Sequence, residues 1–154
     1  MASTKIKTQN IVIRQMEPRD IDRVIKIDEQ VSQGGRVISS NDILYTGTGG
    51  SLDYSFVAEV DGRIAGFALS RLAYLGVPFD EVCVIHVIAV EPRYQKLGLA
   101  RQLVNSIIDK CYTEGVHRVR LLIEGHNISL QHFAECLGFQ RSPIINYDKT
   151  LSNY

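Results

Sequence analysis

The chain has 154 residues, 45% hydrophobic and 22% charged, the balance of one soluble globular domain with a substantial core, about residues 10–151 of 1–154. Lysine plus arginine and aspartate plus glutamate both number 17, so no net charge draws the chain to nucleic acid. No apolar run approaches the roughly 20 residues that a membrane span needs, and Met1 to Gln9 is polar without an apolar signal core; a cytoplasmic protein without membrane or nucleic-acid partners is expected.

In chain order, Asn10 to Gln15 alternates as a first strand. Pro18 suits the first turn of a helix whose buried face carries Ile21, Val24, Ile25 and Val31, and Ser32 to Arg36 breaks it with two glycines. Ser39 or Ser40 can cap a second, short helix through Tyr45, before a loop from Gly47 to Gly50. Tyr54 to Val60 and Ile64 to Tyr74 read as antiparallel strands joined by the two-residue turn Asp61-Gly62. Gly76 to Asp80 leads to Val84–Val90, an apolar, β-branched run of the kind buried on both sheet faces. After a turn at Glu91-Pro92, apolar residues recur at Leu99, Leu103, Val104, Ile107, Ile108 and Cys111, one face of a helix ending near Glu114-Gly115. Val119 to Ile123 is then a strand parallel to Val84–Val90, because a helix intervenes. Asn127 opens a helix with Leu130, Phe133, Ala134 and Leu137 facing inward, closed by Gly138-Phe139, and Tyr147 to Leu151 is a last strand with at most a stub before it.

The strand, glycine loop and helix from Val84 to Cys111 carry chemistry. The first turn of a helix has N–H groups without intrahelical partners and the positive end of the dipole, so it receives phosphate. Gly98 lets a ligand reach the backbone, Ala100 keeps the next surface low, and Lys96 and Arg101 add positive charge. Cys83, Cys111 and Cys136 lack CxxC spacing and read as buried thiols. His86, His117, His126 and His132 have no zinc-ligand spacing, and no metal is expected.

The order Gln95-x-x-Gly98-x-Ala100 after a hydrophobic strand ending Val90-Glu91-Pro92 resembles the acyl-CoA loop of the GCN5-related N-acetyltransferase (GNAT) superfamily. Asn127 to Phe139, ending Leu137-Gly138-Phe139, is similar to that family's second motif, and the element order matches over residues 10–151. The resemblance implies an α/β fold (α+β): a mixed, mostly antiparallel central sheet with a splayed parallel strand pair and flanking helices. It further implies acetyl-CoA as cosubstrate. Ile88, Ala89 and Val90 would pair with the pantetheine amides, Gln95, Lys96, Leu97, Gly98, Leu99, Ala100 and Arg101 would wrap the pyrophosphate, and Asn127 and Phe133 would meet the pantetheine arm.

An amine attacking a thioester must lose a proton, and His86 is the candidate base on the central strand, against the alternative of a hydrogen-bonded core histidine. Many family members carry a tyrosine as acid four residues before the glycine of the second motif; here that residue is Ala134. Tyr147, Cys136 or a water can substitute, or the thiolate leaves unassisted. His126 and His132 read as surface residues, Glu124 as a solvated carboxylate or a site for the substrate ammonium, and Tyr45, Tyr54 and Tyr74 as half-buried aromatics that can also line an acceptor pocket. Two functions are open: an N-acetyltransferase acting on a primary amine (peptide N-terminus, lysine or small molecule), or a non-catalytic acyl-CoA-binding module. Monomer and homodimer are both compatible with the sequence.

Overall fold

The structure, a computed structural model, describes residues 9–35, 38–40, 43, 52–75 and 80–152. It divides into two compact units, Met1–Leu122 and Ile123–Tyr154.

The first unit is built on a five-stranded sheet in the order β1 (Ile11–Gln15), β2 (Phe56–Val60), β3 (Arg63–Leu75), β4 (Asp80–Val90) and β5 (Val119–Leu121). Only β4 and β5 run parallel, so the mixed, mostly antiparallel sheet is as expected. The Asp61-Gly62 turn takes positive φ at both residues, +50° and +81°, the backbone twist that a two-residue hairpin requires. Helix α1 (Ile21–Ser32) follows a 3-10 turn at Pro18–Asp20, so Pro18 starts the tight turn rather than the α-helix. Ile21, Val24 and Ile27 of α1 join Met16, Val57, Phe67 and Ala89 in one buried cluster, with Ile25 and Val31 only partly buried. Helix α2 (Leu99–Thr113) packs against β2, β3 and β4, burying Leu99, Leu103, Val104, Ile107 and Cys111.

The strands differ in length from the sequence expectation, β4 and β5 the most. β4 begins at Asp80 rather than Val84, because Asp80 to Cys83 continue the ladder with Leu72–Leu75 of β3. β5 stops at Leu121 rather than Ile123: its rungs are Cys83 with Val119, Val84 with Arg120 and Ile85 with Leu121, closed by a 3.3 Å bond from Leu122 N–H to the Ile85 carbonyl. Tyr54 precedes β2 instead of opening it, and Ser55 ties that corner to β3 through its hydroxyl, which accepts from Ser70 N–H at 3.1 Å and donates to Ser70 O at 3.2 Å.

An ion cluster fixes the entry to α1. Arg14 grips Asp20 at 2.7 and 2.8 Å and Glu59 at 2.9 Å, while Asp20 also accepts from Glu17 N–H at 2.8 Å. Burial alone would raise the Asp20 carboxyl; the bonds from Arg14 and Glu17 N–H outweigh it and hold it below 3.8. Arg14→Met leaves this carboxylate buried and unpaired, an expected loss of about 3 kcal/mol at pH 7. A group with a depressed folded pKa stabilises above its unfolded value and loses that contribution as pH falls. The difference between Arg14→Met and wild type in urea unfolding therefore narrows below about pH 4.

Of the expected second helix, Ser40 and Ile43 are helical, and Ile43, 2% exposed, bonds through its N–H to Ser39 O at 3.3 Å. Its other residues, Tyr45, the loop from Gly47 to Gly50 and the connection 76–79 lie outside the described residues.

In the second unit, α3 (Ile128–Cys136) is capped by Asn127, whose side-chain oxygen accepts from Leu130 N–H at 3.1 Å. Of its expected inner face, Ala134 is buried and Leu130, Phe133 and Leu137 are half-buried. Tyr147 to Leu151 is not a strand. Its backbone finds no ladder partner among the described residues, and the segment is exposed, Tyr147 at 92%. Cys136 is likewise exposed, on the outer side of α3 with its Sγ 3.7 Å from His132 Nε2, whereas Cys83 and Cys111 are buried. Contact with Cys83, together with burial, pushes the Cys111 thiol up.

Candidate active site

The site is assembled where β4 bulges and its pairing with β5 ends. The β3 register passes from Leu69 opposite Val87 to Ser70 opposite Ile85, so His86 is the extra residue of a β-bulge. A bulge adds twist and re-aims the strand, and the β4–β5 rungs end one residue before it. Beyond it, Glu91 N–H returns to Ala65 O at 2.8 Å. Alternation along a strand then sends the amides of Ala89 toward β3 and those of Ile88 and Val90 toward the opposite edge, where β5 has ended. Ile88 thus presents its backbone groups, and Val90 its N–H, at an opened edge, and Ala89 does not.

Gly66, opposite Val90 on β3, makes this approach possible: a Cβ there would sit 3.0 Å from Ala89 O and 3.0 Å from Val90 Cγ2. Nothing in the local sequence marks it, because the contact is across strands. Gly66→Ala is expected to cost about 1–3 kcal/mol, as overpacking does, and to weaken acetyl-CoA binding by displacing the end of β4; thermal unfolding and ligand titration read the two effects.

After β4 the chain makes a 3-10 turn at Pro92–Tyr94 and enters α2. Gln95 donates its side-chain amide to Val90 O at 3.0 Å, which closes the loop onto the strand end. Lys96 and Gly98 both take the left-handed conformation, φ +64° and +79°. Gly98 is the N-cap of α2 and no side chain caps it, so the first-turn N–H groups at Leu99, Ala100 and Arg101 stay open to a ligand. Lys96, Leu97, Gly98 and Arg101 are exposed while Leu99 is buried and anchors the helix. A Cβ at Gly98 would meet no atom within 4 Å, so its φ, not crowding by the protein, is what demands glycine.

His86 is half-buried, and its Nε2 is buried without a hydrogen-bond partner among the described residues. Burial, and then the positive charge of Arg71 on β3, lower its pKa from 6.5. Near pH 7 the ring is therefore neutral and can accept a proton.

Two of the tyrosine candidates are engaged elsewhere in the first unit. Tyr54 lies under the Lys110 ammonium, 5.8 Å from ring centroid, at the far end of α2 from Gly98; burial and then Glu114 push its hydroxyl up to about 12. Tyr74, 69% exposed, donates to Glu81 at 3.1 Å. In the second unit Asn127 uses its side-chain oxygen as a cap, Phe133 is half-buried, His132 is exposed, and Glu124 pairs with His126 at 3.1 Å on an exposed surface. Among the described residues no group of His, Cys, Asp or Glu is arranged to hold a metal ion, and no helix is long and apolar enough to cross a membrane.

A sheet opened between two parallel strands, leading into an uncapped helix that can receive phosphate, defines the acyl-CoA N-acyltransferase type of fold. Residues 25–139 match the profile of the acetyltransferase (GNAT) family, and the chain belongs to that family, as an acetyl-CoA-dependent N-acetyltransferase. It is 29% identical over 115 residues to the ribosomal protein bS18 alanine N-acetyltransferase of Salmonella typhimurium, which spans 75% of this chain and 74% of that one. Its fold is similar to that of an aminoglycoside N-acetyltransferase in complex with CoA (TM-score 0.75, 22% identity, 95% of this chain and 99% of that one). It is equally similar to a ribosomal-protein-alanine N-acetyltransferase from Brucella melitensis (TM-score 0.75, 15% identity, 93% and 100%).

Proposed function

We propose that the acceptor is a peptide N-terminal amine and that His86 is its base. The carrying observation is the buried Nε2 of His86, without a partner among the described residues, at the bulge beside the opened edge of β4. An α-amino group has a pKa of about 8 and a lysine about 10.4, so a histidine held below 6.5 faces a far smaller uphill proton transfer from the former. The relative that acts on a ribosomal-protein alanine supports the same choice. In this reading the phosphates of acetyl-CoA lie on Gln95, Lys96, Leu97, Gly98, Leu99, Ala100 and Arg101, the pantetheine amides pair with Ile88 and Val90, and Asn127 and Phe133 border the pantetheine arm.

The amine nitrogen attacks the thioester carbonyl, its proton passes to His86 Nε2, and the C–S bond breaks to give an amide and CoA thiolate. Ala134 offers no proton, so the thiolate leaves as such, a tolerable departure for a thiol of pKa about 8.5. Residues 10–151 act as one catalytic domain, in the cytoplasm, as monomer or homodimer, without nucleic acid or membrane. The test is thiol release from acetyl-CoA with three acceptors: peptides with a free N-terminus, N-terminally blocked lysine peptides and an aminoglycoside. Turnover confined to free N-termini is expected; turnover of only the other two overturns the acceptor, and thioester binding without any turnover favours the non-catalytic module.

A further inference from the structure

The turn leading into the glycine loop starts with a buried carboxylate. Glu91 follows β4 directly and is 8% exposed, and its backbone is fixed at both ends, N–H to Ala65 O at 2.8 Å and carbonyl to Tyr94 N–H at 2.8 Å. A fixed anion four residues before a loop that receives phosphate is unfavourable, and partial burial strengthens the repulsion. Its neutralisation comes from a distant part of the chain. Arg23, in the first turn of α1, sets Nη2 2.9 Å from Glu91 Oε2 and Nε 3.3 Å from Ile64 O. A second cation, Arg93, stands 3.6 Å from Oε1 and is half exposed, its guanidinium 4.8 Å above the Tyr94 ring. The bond from Arg23 is short and anchored at two points; the contact from Arg93 is loose and solvent-facing.

We infer that Arg23 is a positioning residue for the anionic half of acetyl-CoA. By neutralising Glu91 it removes a repelling charge beside the loop and leaves the Arg93 guanidinium available to the ligand's phosphates. Without Arg23, Glu91 stands unscreened or draws Arg93 fully onto itself, and in both cases the loop loses positive charge. The inference rests on acetyl-CoA placing its phosphates at residues 95–101. It predicts an effect that scales with the charge of the thioester, which a purely structural ion pair does not.

The test uses the full chain, two thioesters and four variants: Arg23→Met, Arg23→Lys, Glu91→Gln and the double change Arg23→Met with Glu91→Gln. Acetyl-CoA carries the phosphates; S-acetylpantetheine does not. Arg23→Met is expected to raise KM for acetyl-CoA about tenfold with kcat within about twofold, since removing one partner of a charge pair exposes the other. Its kcat/KM with S-acetylpantetheine stays at the wild-type value. The double variant returns the acetyl-CoA KM to within about threefold of wild type, and Arg23→Lys, which keeps the charge but not the two-point anchor, falls between Arg23→Met and wild type. Equal losses on both thioesters, a wild-type KM in Arg23→Met, or no recovery in the double variant overturns the inference. Should Arg23→Met fail to fold, Glu91→Gln decides: acetyl-CoA affinity equal to or above wild type supports it and weaker affinity overturns it. If wild type shows no preference for acetyl-CoA over S-acetylpantetheine, the phosphate loop itself is at fault, a result separable from all of these.

Discussion

His86→Gln is expected to lower kcat by about 10²- to 10⁴-fold, the span a positioned general base commands, with acetyl-CoA affinity changed by less than about threefold. Glutamine keeps much of the volume and the polarity of the ring but cannot take a proton at neutral pH, so the loss reports the chemical step rather than the bulge. The wild-type profile carries a second signature. Burial first, and Arg71 second, hold the His86 pKa below 6.5, so the acidic limb that His86 gives to kcat lies below that of a free imidazole. Arg71→Gln removes the charge that lowers the value, and the acidic limb is expected to move up toward 6.5. In His86→Gln that limb disappears. His132→Ala, a change on the exposed side of α3, leaves both rate and profile as they are. A His86→Gln enzyme with wild-type kcat and an unchanged acidic limb would assign the proton to another group.

The same depressed pKa acts on stability, and its sign is fixed. His86 is neutral in the fold at a pH where the unfolded chain begins to protonate, so its contribution is complete above about pH 6.5 and is lost as pH falls through the lower folded value. Acid therefore weakens catalysis and the fold at one residue, and a variant lacking His86 loses both pH dependences.

What could be read from the sequence was contiguous. The apolar run of β4, the loop and the 3.6-residue spacing of α2 lie in one uninterrupted stretch, and the sheet order and the boundaries of α2 and α3 follow from such local signals. Cross-chain features were not legible. The bulge at His86 is one residue of slippage between two strands, and a one-residue insertion leaves no compositional trace. Gly66 looks like any strand glycine until Val90 is placed opposite it. Arg23 and Glu91, 68 residues apart, carry no pattern that pairs them. The expected strand at Tyr147 to Leu151 failed for the converse reason: its apolar residues suit a strand, but a strand exists only with a ladder partner, and none is present among the described residues. The two left-handed residues at Lys96 and Gly98 sit between these cases, since glycine announces one and lysine conceals the other.

Gly98→Asp is expected to weaken acetyl-CoA binding by more than about 100-fold, on the order of 3 kcal/mol, while shifting stability by only about 1 kcal/mol. The small stability effect is the balance of two opposed terms. The position has φ +79°, which disfavours any side chain, yet aspartate is among the residues that tolerate this region and is a favourable N-cap with stabilising charge at a helix start. The space is free of protein atoms, with nothing within 4 Å of the added Cβ. For the ligand every term has one sign: the carboxylate occupies the volume assigned to a phosphate, competes for the N–H groups at Leu99, Ala100 and Arg101, and repels the pyrophosphate. Gly98→Ala isolates the backbone contribution, since it carries the φ penalty without charge or reach, and it is expected to fall between wild type and Gly98→Asp. Calorimetric titration of the three proteins, beside their thermal unfolding, separates the effects. If Gly98→Asp binds acetyl-CoA within about tenfold of wild type, the phosphates are not received at the start of α2; if Gly98→Ala is as weak as Gly98→Asp, the left-handed backbone rather than the open N–H groups carries the recognition.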